Sequence, residues 1–551
     1  MRYVDILYAV RTENIHTRLI CTLDTMPLEN LASYISKHPR PTGKFTYGTA
    51  GFRMKADKLD YVNFTLGILA SLRSKFLGGK TVGVMVTASH NPPADNGVKI
   101  VDPLGSMLES SWEVYATDLA NTEPGQLQKA VQELCDKVSI DLNTPSKVVI
   151  ARDSRESSPR LSAATIDGLQ GIEYTEYEDF GLLTTPQLHY LTRTKNDPSY
   201  GEASEEGYYK KMASAFQEIV KGDLSITIDA ANGVGAPKVT ELFEKYLNNV
   251  HFQVVNGSYK SPDQLNYDCG ADFVKTTQGL PKNVENPLPN KLYASFDGDA
   301  DRLICYYQTE TGTFRLLDGD KMATLIALYF QTLFKDIDSA KLKLNVGVVQ
   351  TAYANGSSTK YVEQVLKLPL SCTSTGVKHL HHEAQNYDVG IYFEANGHGT
   401  VVFDSKAEEQ IFAYSPTNEK EAHAIKSLQQ FTKLVNQAVG DAISDLLCIL
   451  AILSSLSLTP QNWDKCYEDL PNRLTKVVVP DRSVFKTTDA ERRLVEPQGM
   501  QQKIDQIVAE YPSGRSFVRA SGTEDAVRVY AEASTHEGAE ELSKRIGALV
   551  V

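Results

Sequence analysis

A valine-rich run passes directly into a polar loop in the stretch Thr81-Val-Gly-Val-Met-Val-Thr-Ala-Ser-His-Asn-Pro-Pro93. A short run of β-branched residues that ends in turn-forming residues is typical of a buried strand. The same pattern recurs between helical stretches, and further strands are predicted at residues 147–150, 225–228, 291–296, 346–349 and 389–393. This alternation predicts an α/β fold with mixed, largely parallel sheets, in which polar loops gather at the carboxyl ends of the strands.

Turn-rich segments divide the chain into four parts. They lie at residues 194–202 and 308–313, and a third comes after an apolar run, at residues 459–462. At roughly 150 residues per domain, 551 residues correspond to about three or four domains. The predicted domains are three α/β domains at residues 1–200, 201–310 and 311–458, and a smaller α+β domain at residues 459–551.

Composition excludes several classes of function. The chain has 56 basic and 69 acidic residues, a formal charge of −13 and no basic cluster, which argues against nucleic-acid binding. The longest apolar run, residues 446–458, is too short to span a bilayer and is predicted to form a buried helix. Seven scattered cysteines without a C-x-x-C pair favour a reducing compartment, which we take to be the cytoplasm. Residues 1–25 show no signal peptide and are unlike the rest of the chain.

Ser89 is the first candidate for chemistry, because it lies beside His90 on a loop stiffened by two prolines. A serine hydroxyl is a poor nucleophile on its own, but a phosphorylated serine can donate its phosphoryl group. For an isolated Ser-His pair, a serine that only caps a turn is the alternative. The polar stretch continues through Asp95-Asn-Gly-Val-Lys99. This length is greater than chance allows and favours the catalytic interpretation.

Three carboxylates alternate with small residues in the stretch Phe296-Asp-Gly-Asp-Ala-Asp-Arg302. In extended backbone, the side chains of Asp297, Asp299 and Asp301 point the same way and can converge on one cation. Ligation by oxygen alone suits Mg²⁺. An EF-hand loop would need Gly at its sixth position and Glu at its twelfth, and this loop has neither. A solvated acidic turn remains the alternative.

Two further polar loops could bind a sugar phosphate. Glu394 and Asn396, in Phe393-Glu-Ala-Asn-Gly-His-Gly-Thr400, can hydrogen-bond sugar hydroxyls. The stretch Arg519-Ala-Ser-Gly-Thr-Glu-Asp525, with Arg528 three residues later, offers hydroxyls, backbone N–H groups and two guanidiniums to a phosphate. A plain turn remains the alternative for each.

Taken together and in this order, the four loops resemble those of the α-D-phosphohexomutase superfamily. The resemblance runs from Phe45-Thr-Tyr-Gly-Thr-Ala-Gly-Phe-Arg53 to Tyr530, and residues 1–25 lie outside it. Within the superfamily, the branch that acts on N-acetylglucosamine phosphate is the most similar. That assignment depends on residues 394–398 and on Ser374-Thr-Gly-Val-Lys-His-Leu-His-His382, because other branches usually carry a Gly-Glu-x-Ser sugar loop.

The resemblance implies a role for each loop. Ser89 would be a phosphoserine whose phosphate, with the three aspartates, holds one Mg²⁺. Arg53 and His90 would neutralise the phosphoryl group, and Lys99 matches a candidate for general acid/base, although His90 and His398 are left open for that task. The sugar would contact Glu394, Ala395, Asn396, Gly397 and His398. The phosphate that is not reacting would contact Arg519, Ala520, Ser521, Gly522, Thr523 and Arg528.

The resemblance also implies a fold and a reaction. We expect three related α/β domains and a C-terminal α+β domain around a central cleft. The expected reaction interconverts N-acetylglucosamine 6-phosphate and 1-phosphate through a 1,6-bisphosphate, which is both intermediate and activator, and supplies UDP-N-acetylglucosamine biosynthesis. The expected partner is a small sugar phosphate, with no nucleic acid and no membrane, and the chain would be a monomer or weak dimer.

Three other functions are weighed against this one. The first is a phosphoglucomutase or phosphomannomutase with an unusual sugar loop. The second is a magnesium phosphatase with an aspartate nucleophile, which would leave the Ser-His-Asn-Pro loop without a task. The third is a catalytically inactive sugar-phosphate-binding protein, against which the intact serine, aspartates and phosphate loop argue.

Overall fold

The computed structural model describes residues 28–48, 50–521 and 525–550. Along these ranges, four sheets of three to five strands succeed one another, together with a two-stranded hairpin. Helices pack against these mixed sheets, which confirms the predicted fold class. The expectations for residues 1–25 lie outside the described residues. None of the helices in the described ranges has the length and apolar character that a membrane span requires.

Five strands form the first sheet: β1 (Phe52–Lys55), β2 (Thr81–Val86), β3 (Asp95–Val101), β4 (Ser146–Arg152) and β5 (Thr175–Leu182). The helices of this region are α1 (Leu31–Ile35), α2 (Asp60–Phe76), α3 (Ser110–Asn121), α4 (Pro124–Val138), α5 (Ser158–Gln170) and α6 (Thr185–Asn196). The strand order is β1-β3-β2-β4-β5. β2, β4 and β5 are parallel, whereas β3 is antiparallel to both of its neighbours.

The second sheet contains β6 (Leu224–Asp229), β7 (Val250–Val255), β8 (Tyr293–Phe296), β9 (Leu303–Gln308) and β10 (Phe314–Leu317). Its helices are α7 (Glu205–Ile219), α8 (Gly235–Tyr246) and α9 (Ala271–Thr277). The order is β10-β9-β8-β6-β7, with β8 antiparallel to β9 and β9 to β10. Because β10 pairs with β9, this sheet extends past residue 310.

The third sheet has the order β12-β11-β13-β14, with only β14 antiparallel to its neighbour. Its strands are β11 (Val346–Thr351), β12 (Leu370–Thr373), β13 (Val389–Phe393) and β14 (Gly399–Phe403). Its helices are α10 (Gly319–Lys335), α11 (Gly356–Lys360), α12 (Val377–Ala384), α13 (Ser405–Ala413), α14 (Glu419–Leu434) and α15 (Ala442–Ser455), and residues 361–366 add a π-helical turn. The apolar run is the buried helix α15, as predicted.

The C-terminal sheet is antiparallel throughout and has the order β15-β19-β18. After the short helix α16 (Pro460–Asp464), the elements are β15 (Asn472–Val478), β16 (Lys486–Thr488), β17 (Arg493–Glu496), α17 (Met500–Val508), β18 (Arg515–Ala520), β19 (Ala526–Glu532) and α18 (His536–Leu549). β16 and β17 form the separate hairpin.

Each of the four polar loops from the sequence analysis connects two antiparallel strands. The connected pairs are β2 with β3, β8 with β9, β13 with β14, and β18 with β19. The alternation of strand, loop and helix did not distinguish these hairpins. Consequently, antiparallel pairs are as numerous as parallel pairs in the first two sheets. A hairpin fixes the loop at both ends, which suits a loop that must hold reacting atoms in place.

The C-terminal sheet has an apolar core of its own, and a small cluster of Ala352, Phe517 and Tyr530 joins it to the third sheet. One cluster links the three larger sheets, from Met85 in β2 through Phe296 in β8 to Ile391 in β13. The C-terminal sheet packs around its own core, which includes Val518. Arg515 joins this region to the third sheet by donating hydrogen bonds to nearby backbone carbonyls. A region with its own core can move as a unit.

His189 in α6 predicts a loss of stability in acid. The residue is fully buried, and its Nδ1 lies 2.6 Å from the carbonyl oxygen of Gly105. Burial, aided by the charge of Lys99, lowers the pKa of His189 to about 3. The unfolded chain therefore binds a proton below pH 6.5 that the folded chain does not, and stability falls as the pH drops from 6.5 toward 3. Between pH 6.5 and 5, we expect a loss of about 1.5 kcal/mol in the free energy of unfolding.

Urea denaturation at both pH values tests this expectation. His189→Gln retains an amide that can donate to Gly105 but cannot titrate, so its stability should depend less on pH than that of the wild type. His423→Gln, at an exposed position of α14, should behave like the wild type. If the stability of His189→Gln depended on pH as strongly as that of the wild type, protonation of His189 would not be the cause of the loss of stability in acid.

Candidate active site

Ser89 lies at the tip of the β2–β3 hairpin and is completely buried. Its φ of 51° is in the left-handed region, which is uncommon for a residue with a side chain. The hydroxyl donates a hydrogen bond to Asp297 Oδ2 over 2.5 Å, and its oxygen lies 3.3 Å from His90 Nδ1. The structure thus brings the serine loop and the acidic loop into direct contact.

Arg155 holds the serine loop in this shape. Its side chain is fully buried and pairs with Asp153 at 3.0 Å. The guanidinium donates hydrogen bonds to four backbone carbonyls of the loop, those of Ser89, Asn91, Pro92 and Asp95, over 2.7–3.0 Å. No role for this residue is evident from the sequence, because the carbonyls that it contacts lie about 60 residues away along the chain.

The three aspartates of the acidic loop converge as predicted. Carboxylate oxygens from Asp297, Asp299 and Asp301 lie within 4.8 Å of one another, and all three side chains are buried. Asp299 Oδ1 and Asp301 Oδ1 have no hydrogen-bond partner among the described residues. Buried carboxylate oxygens are normally paired, so the two orphaned atoms fit a hard cation such as Mg²⁺. Ser89 Oγ adjoins this set through Asp297.

Gly298 permits the close approach of the two loops. A Cβ at this position would lie 2.6 Å from the carbonyl oxygen of Ser89, which is closer than real Cβ contacts come. Asp299 is oriented by Thr87 and Thr185, whose hydroxyls donate to its Oδ2 over 3.1 and 2.7 Å. Thr87 follows β2 and Thr185 begins α6, which packs on the same sheet, so the first sheet and its helix fix the position of the Asp299 carboxylate.

Burial and mutual repulsion dominate the electrostatics of the aspartates. Burial, followed by the charges of the neighbouring aspartates, raises the pKa of Asp297 well above its usual value, and the pKa of Asp299 is raised for the same reasons. Burial opposes ionisation of Asp301 too, but His398, Lys99 and other cations outweigh it and hold the pKa of Asp301 below its usual value. A bound cation would remove this repulsion.

Arg53 and Lys99 lie on adjacent strands beside the serine loop. Arg53 in β1 pairs with Gly97 in β3, two residues before Lys99, so both side chains lie on the same face of the sheet. Burial lowers the pKa of Lys99 although the aspartates oppose the shift. Burial and the charges of Arg302 and Arg53 lower the pKa of His90 to about 2. This shift favours the neutral form of His90 while no phosphate lies beside it.

Arg302 is a functional candidate that the sequence analysis passed over, although it closes the acidic motif. Its guanidinium lies 3.9 Å from both Asp297 and Asp301, and 3.8 Å from Asp272. The only signal in the sequence was its place directly after the last aspartate. Its charge lies where it would face an anion held by the serine loop.

The sugar loop between β13 and β14 packs against the acidic loop. Gly397 has a φ of 88°, and a Cβ there would lie 1.8 Å from the carbonyl oxygen of Leu303. His398 Nδ1 lies 3.7 Å from Asp301 Oδ1. Asn396 donates from Nδ2 to Glu394 over 3.2 Å, and its Oδ1 accepts from the His398 amide. The Asn396 side chain thus hydrogen-bonds within the loop through both its nitrogen and its oxygen, and Ala395 lies between it and Glu394.

The candidate phosphate loop lies at the end of the β18–β19 hairpin. Arg519 and Arg528 are directly opposite one another in the two strands. Arg519 donates to Tyr353 Oη over 2.9 Å and to Glu491 Oε1 over 3.0 Å. Ala520 ends β18, and the next residue, Ser521, is buried. The predicted residues Gly522 and Thr523 lie outside the described part of the chain.

Residues 375–378 connect the site to three other regions, which the sequence analysis did not anticipate. Thr375 donates from its amide and hydroxyl to Glu491. The Gly376 amide donates to Glu394 Oε1 over 3.1 Å. Lys378 pairs with Glu113 in the first domain at 2.6 Å. Only the unusual local sequence, used above to assign the branch, marked this segment.

Protein-family models match four successive segments of the chain. The model "Phosphoacetylglucosamine mutase AMG1, domain II" matches residues 200–304, and domain III of the same protein matches residues 318–458. Models of phosphoglucomutase/phosphomannomutase match at either end, the alpha/beta/alpha domain I at residues 72–124 and 118–203 and the C-terminal domain at residues 474–548.

Known proteins match over nearly the full length. A Candida albicans phosphoacetylglucosamine mutase is 66% identical over 540 residues, which cover 95% of this chain and 99% of the relative. A crystal structure of N-acetylglucosamine-phosphate mutase in the product complex has 66% identity and a TM-score of 0.94, and the match covers 96% of this chain and 100% of the other. The Aspergillus fumigatus N-acetylphosphoglucosamine mutase in complex with GlcNAc-6P and magnesium has 49% identity and a TM-score of 0.91, with 96% and 99% covered.

Sequence identity, coverage and fold therefore agree with the resemblance that the four loops carry. The chain belongs to the phosphoacetylglucosamine mutase family, within the α-D-phosphohexomutase superfamily.

Proposed function

We propose that the chain interconverts N-acetylglucosamine 6-phosphate and N-acetylglucosamine 1-phosphate through a phosphoserine at Ser89. One observation carries this proposal: the buried Ser89 hydroxyl lies 2.5 Å from Asp297, within a set of three buried carboxylates. A buried serine beside a cation site is what transfer of a charged phosphoryl group requires, since such transfer depends on alignment and charge neutralisation.

The first transfer moves a phosphoryl group from Ser89 to the free sugar hydroxyl of the monophosphate. The bond between phosphorus and Ser89 Oγ breaks, a bond between phosphorus and the sugar oxygen forms, and the product is the 1,6-bisphosphate. The hydroxyl proton leaves the sugar oxygen, and an equivalent proton returns to Ser89 Oγ. Lys99, whose pKa burial lowers, is our candidate for the group that takes the proton. The second transfer reverses these steps at the other end of the sugar.

Asp297, Asp299, Asp301 and the phosphate on Ser89 would hold one Mg²⁺, which supplies positive charge to the phosphoryl oxygens when bound. The chain's own cations complete the neutralisation. Arg302 faces the same carboxylates at 3.9 Å, and Arg53 lies on the strand next to Lys99. These groups would hold the phosphoryl group in line between Ser89 and the sugar.

The bisphosphate must turn around between the two transfers, so the phosphate loop must accept either end of the sugar. Arg519, Ser521 and Arg528, with Gly522 and Thr523, would contact the phosphate that is not reacting. Guanidinium and N–H groups recognise a phosphate without regard to the atom that bears it. The separate core of the C-terminal region would allow it to close over the sugar.

The cellular setting is part of the proposal. We place the enzyme in the cytoplasm, as a monomer or weak dimer that supplies UDP-N-acetylglucosamine biosynthesis. The net charge of −13 supports a small sugar phosphate, and not nucleic acid, as the partner. We keep the division into four domains as a proposal too, with the β9–β10 hairpin assigned to the second.

Substrate competition tests the proposed specificity. With Mg²⁺ and a trace of sugar 1,6-bisphosphate, the enzyme should prefer N-acetylglucosamine 6-phosphate to glucose 1-phosphate. Asn396→Asp should reduce that preference by about tenfold, because a charge beside Glu394 would distort the loop and face a neutral acetamido group. Asn386→Asp, at an exposed position before β13, is the matched control. Equal specificity constants of the wild type for the two substrates would contradict the proposed acetamido preference and leave the proposed phosphoryl transfer unaffected.

A further inference from the structure

Glu491 occupies a position that joins two domains beside the proposed site. It lies in the turn between β16 and β17, and its carboxylate contacts two regions at once. Oε1 accepts a hydrogen bond from Arg519 over 3.0 Å, whereas Oε2 accepts from the amide of Thr375 over 3.0 Å and from the Thr375 hydroxyl. The side chain is only 20% exposed. One carboxylate thus connects the phosphate loop to the segment beside the sugar loop.

The backbone of this turn is held in an uncommon conformation. Asp489, Ala490 and Glu491 have φ values of 52°, 52° and 66°, all in the left-handed region and none at a glycine. Side chains disfavour this region, so three successive residues persist there only because the surroundings hold them. Glu491 supplies the hydrogen bonds that connect this turn to Thr375 and Arg519.

The hairpin that carries Glu491 moves with the C-terminal domain. Phe485 and Leu494, on either side of the turn, are buried in the core of that domain together with Ile504. Arg519 belongs to the same domain. The bonds from Thr375 therefore cross between domains, as do the bonds that Arg515 and Arg519 donate to residues 352–354, and they are lost when the C-terminal domain moves away from the third domain.

The segment that receives Glu491 is also attached to the sugar loop. The residue after Thr375, Gly376, donates its amide to Glu394 Oε1 over 3.1 Å. Closure of the C-terminal domain therefore affects the position of the loop proposed to hold the sugar, because Thr375 bonds to Glu491 and the adjacent Gly376 bonds to Glu394.

We propose that Glu491 is a positioning residue that latches the C-terminal domain closed and keeps the bisphosphate intermediate in the cleft between the two phosphoryl transfers. This inference rests on the proposed function. Arg519 donates to Glu491 and, in the proposed function, also contacts the phosphate that is not reacting. Binding of a phosphate at either end of the sugar therefore affects the contact that holds the domain closed. Without the latch, the cleft opens more often before the intermediate has turned around, and an escaping bisphosphate leaves Ser89 without its phosphate.

The test measures bisphosphate released per turnover from labelled N-acetylglucosamine 6-phosphate, with no added bisphosphate. Glu491→Ala should release about tenfold more than the wild type, because hydrogen bonds to a charged group are among the stronger ones. Its activity should decay during the assay and return when sugar 1,6-bisphosphate is added. Glu491→Gln, which retains one acceptor oxygen, should lie between the two. Thr375→Val should release more bisphosphate alone but add little to Glu491→Ala.

Asp489→Asn is the control, because Asp489 lies in the same turn and its carboxylate pairs with the exposed Arg492, away from Thr375 and Arg519. It should release no more bisphosphate than the wild type. If Glu491→Ala and Glu491→Gln lose activity but release bisphosphate at the wild-type rate, Glu491 is merely structural and the inference is overturned. If the wild type itself makes product without forming any bisphosphate, the proposed function fails and the inference falls with it.

Discussion

Ser89→Ala is expected to lower turnover by about 10⁴-fold or more, which corresponds to about 5.5 kcal/mol of transition-state stabilisation. The loss is large because no other group would carry the phosphoryl between the two ends of the sugar. The variant should fold, since the substitution removes the hydroxyl contacts with His90 and Asp297, whereas the backbone of residue 89 keeps its hydrogen bonds. Asp297 loses a buried donor, for which we expect a cost of about 1–3 kcal/mol in stability.

The measurement compares steady-state turnover with incorporation of label from sugar 1,6-bisphosphate into the protein. Ser89→Ala should show neither. Ser154→Ala is the matched control, because its hydroxyl oxygen is buried in the neighbouring loop and has no hydrogen-bond partner among the described residues. That control should retain both turnover and labelling. Turnover of Ser89→Ala within tenfold of the wild type would eliminate the covalent scheme.

Loss of one carboxylate from the acidic loop is expected to have an effect of similar size. Asp301→Asn should reduce turnover by about 10³-fold, or about 4 kcal/mol, because Mg²⁺ would lose a ligand. Without metal, the same variant should be less stable than the wild type, because the neighbouring cations that hold the pKa of Asp301 below its usual value would lose the charge of this carboxylate. Addition of Mg²⁺ should raise the melting temperature of the wild type and leave that of Asp301→Asn nearly unchanged.

A melting series in EDTA and in Mg²⁺ separates these effects. Asp272→Asn is the control, because Asp272 lies 3.8 Å from Arg302 but is half exposed and outside the acidic cluster. It should keep both the Mg²⁺-dependent stabilisation and most of the activity. A wild-type melting temperature that does not respond to Mg²⁺ would argue that the three aspartates serve the structure alone.

Much of the fold could be predicted because buried strands have a strong local signal. The predicted strands at residues 81–86 and 389–393 coincide with β2 and β13. Their partners could not be predicted in the same way, because a strand such as β3, which begins Asp95-Asn-Gly, contains turn-forming residues that are rare in strands. The sequence therefore indicated parallel sheets where the structure has hairpins at each site loop.

The residues of the candidate site could likewise be predicted only where the signal in the sequence is local. Ser89 and the three aspartates were predicted because each lies in a dense local motif. Glu491 and Thr375, in contrast, are 116 residues apart in the chain and have no local pattern that joins them. Arg155 lies in a polar stretch that the sequence shows, but its role depends on carbonyl groups that only the folded loop presents to it.

Transfer of the phosphoryl group from Ser89 to the sugar is the central claim, and a single-turnover experiment tests it most directly. Protein labelled with phosphate at Ser89 is mixed with excess unlabelled N-acetylglucosamine 6-phosphate and Mg²⁺, and the reaction is quenched at short times. The label should leave the protein and appear in the sugar 1,6-bisphosphate before it appears in any monophosphate, at a rate no slower than turnover. Label that stays on the protein while product forms, or that appears only as inorganic phosphate, would contradict the account.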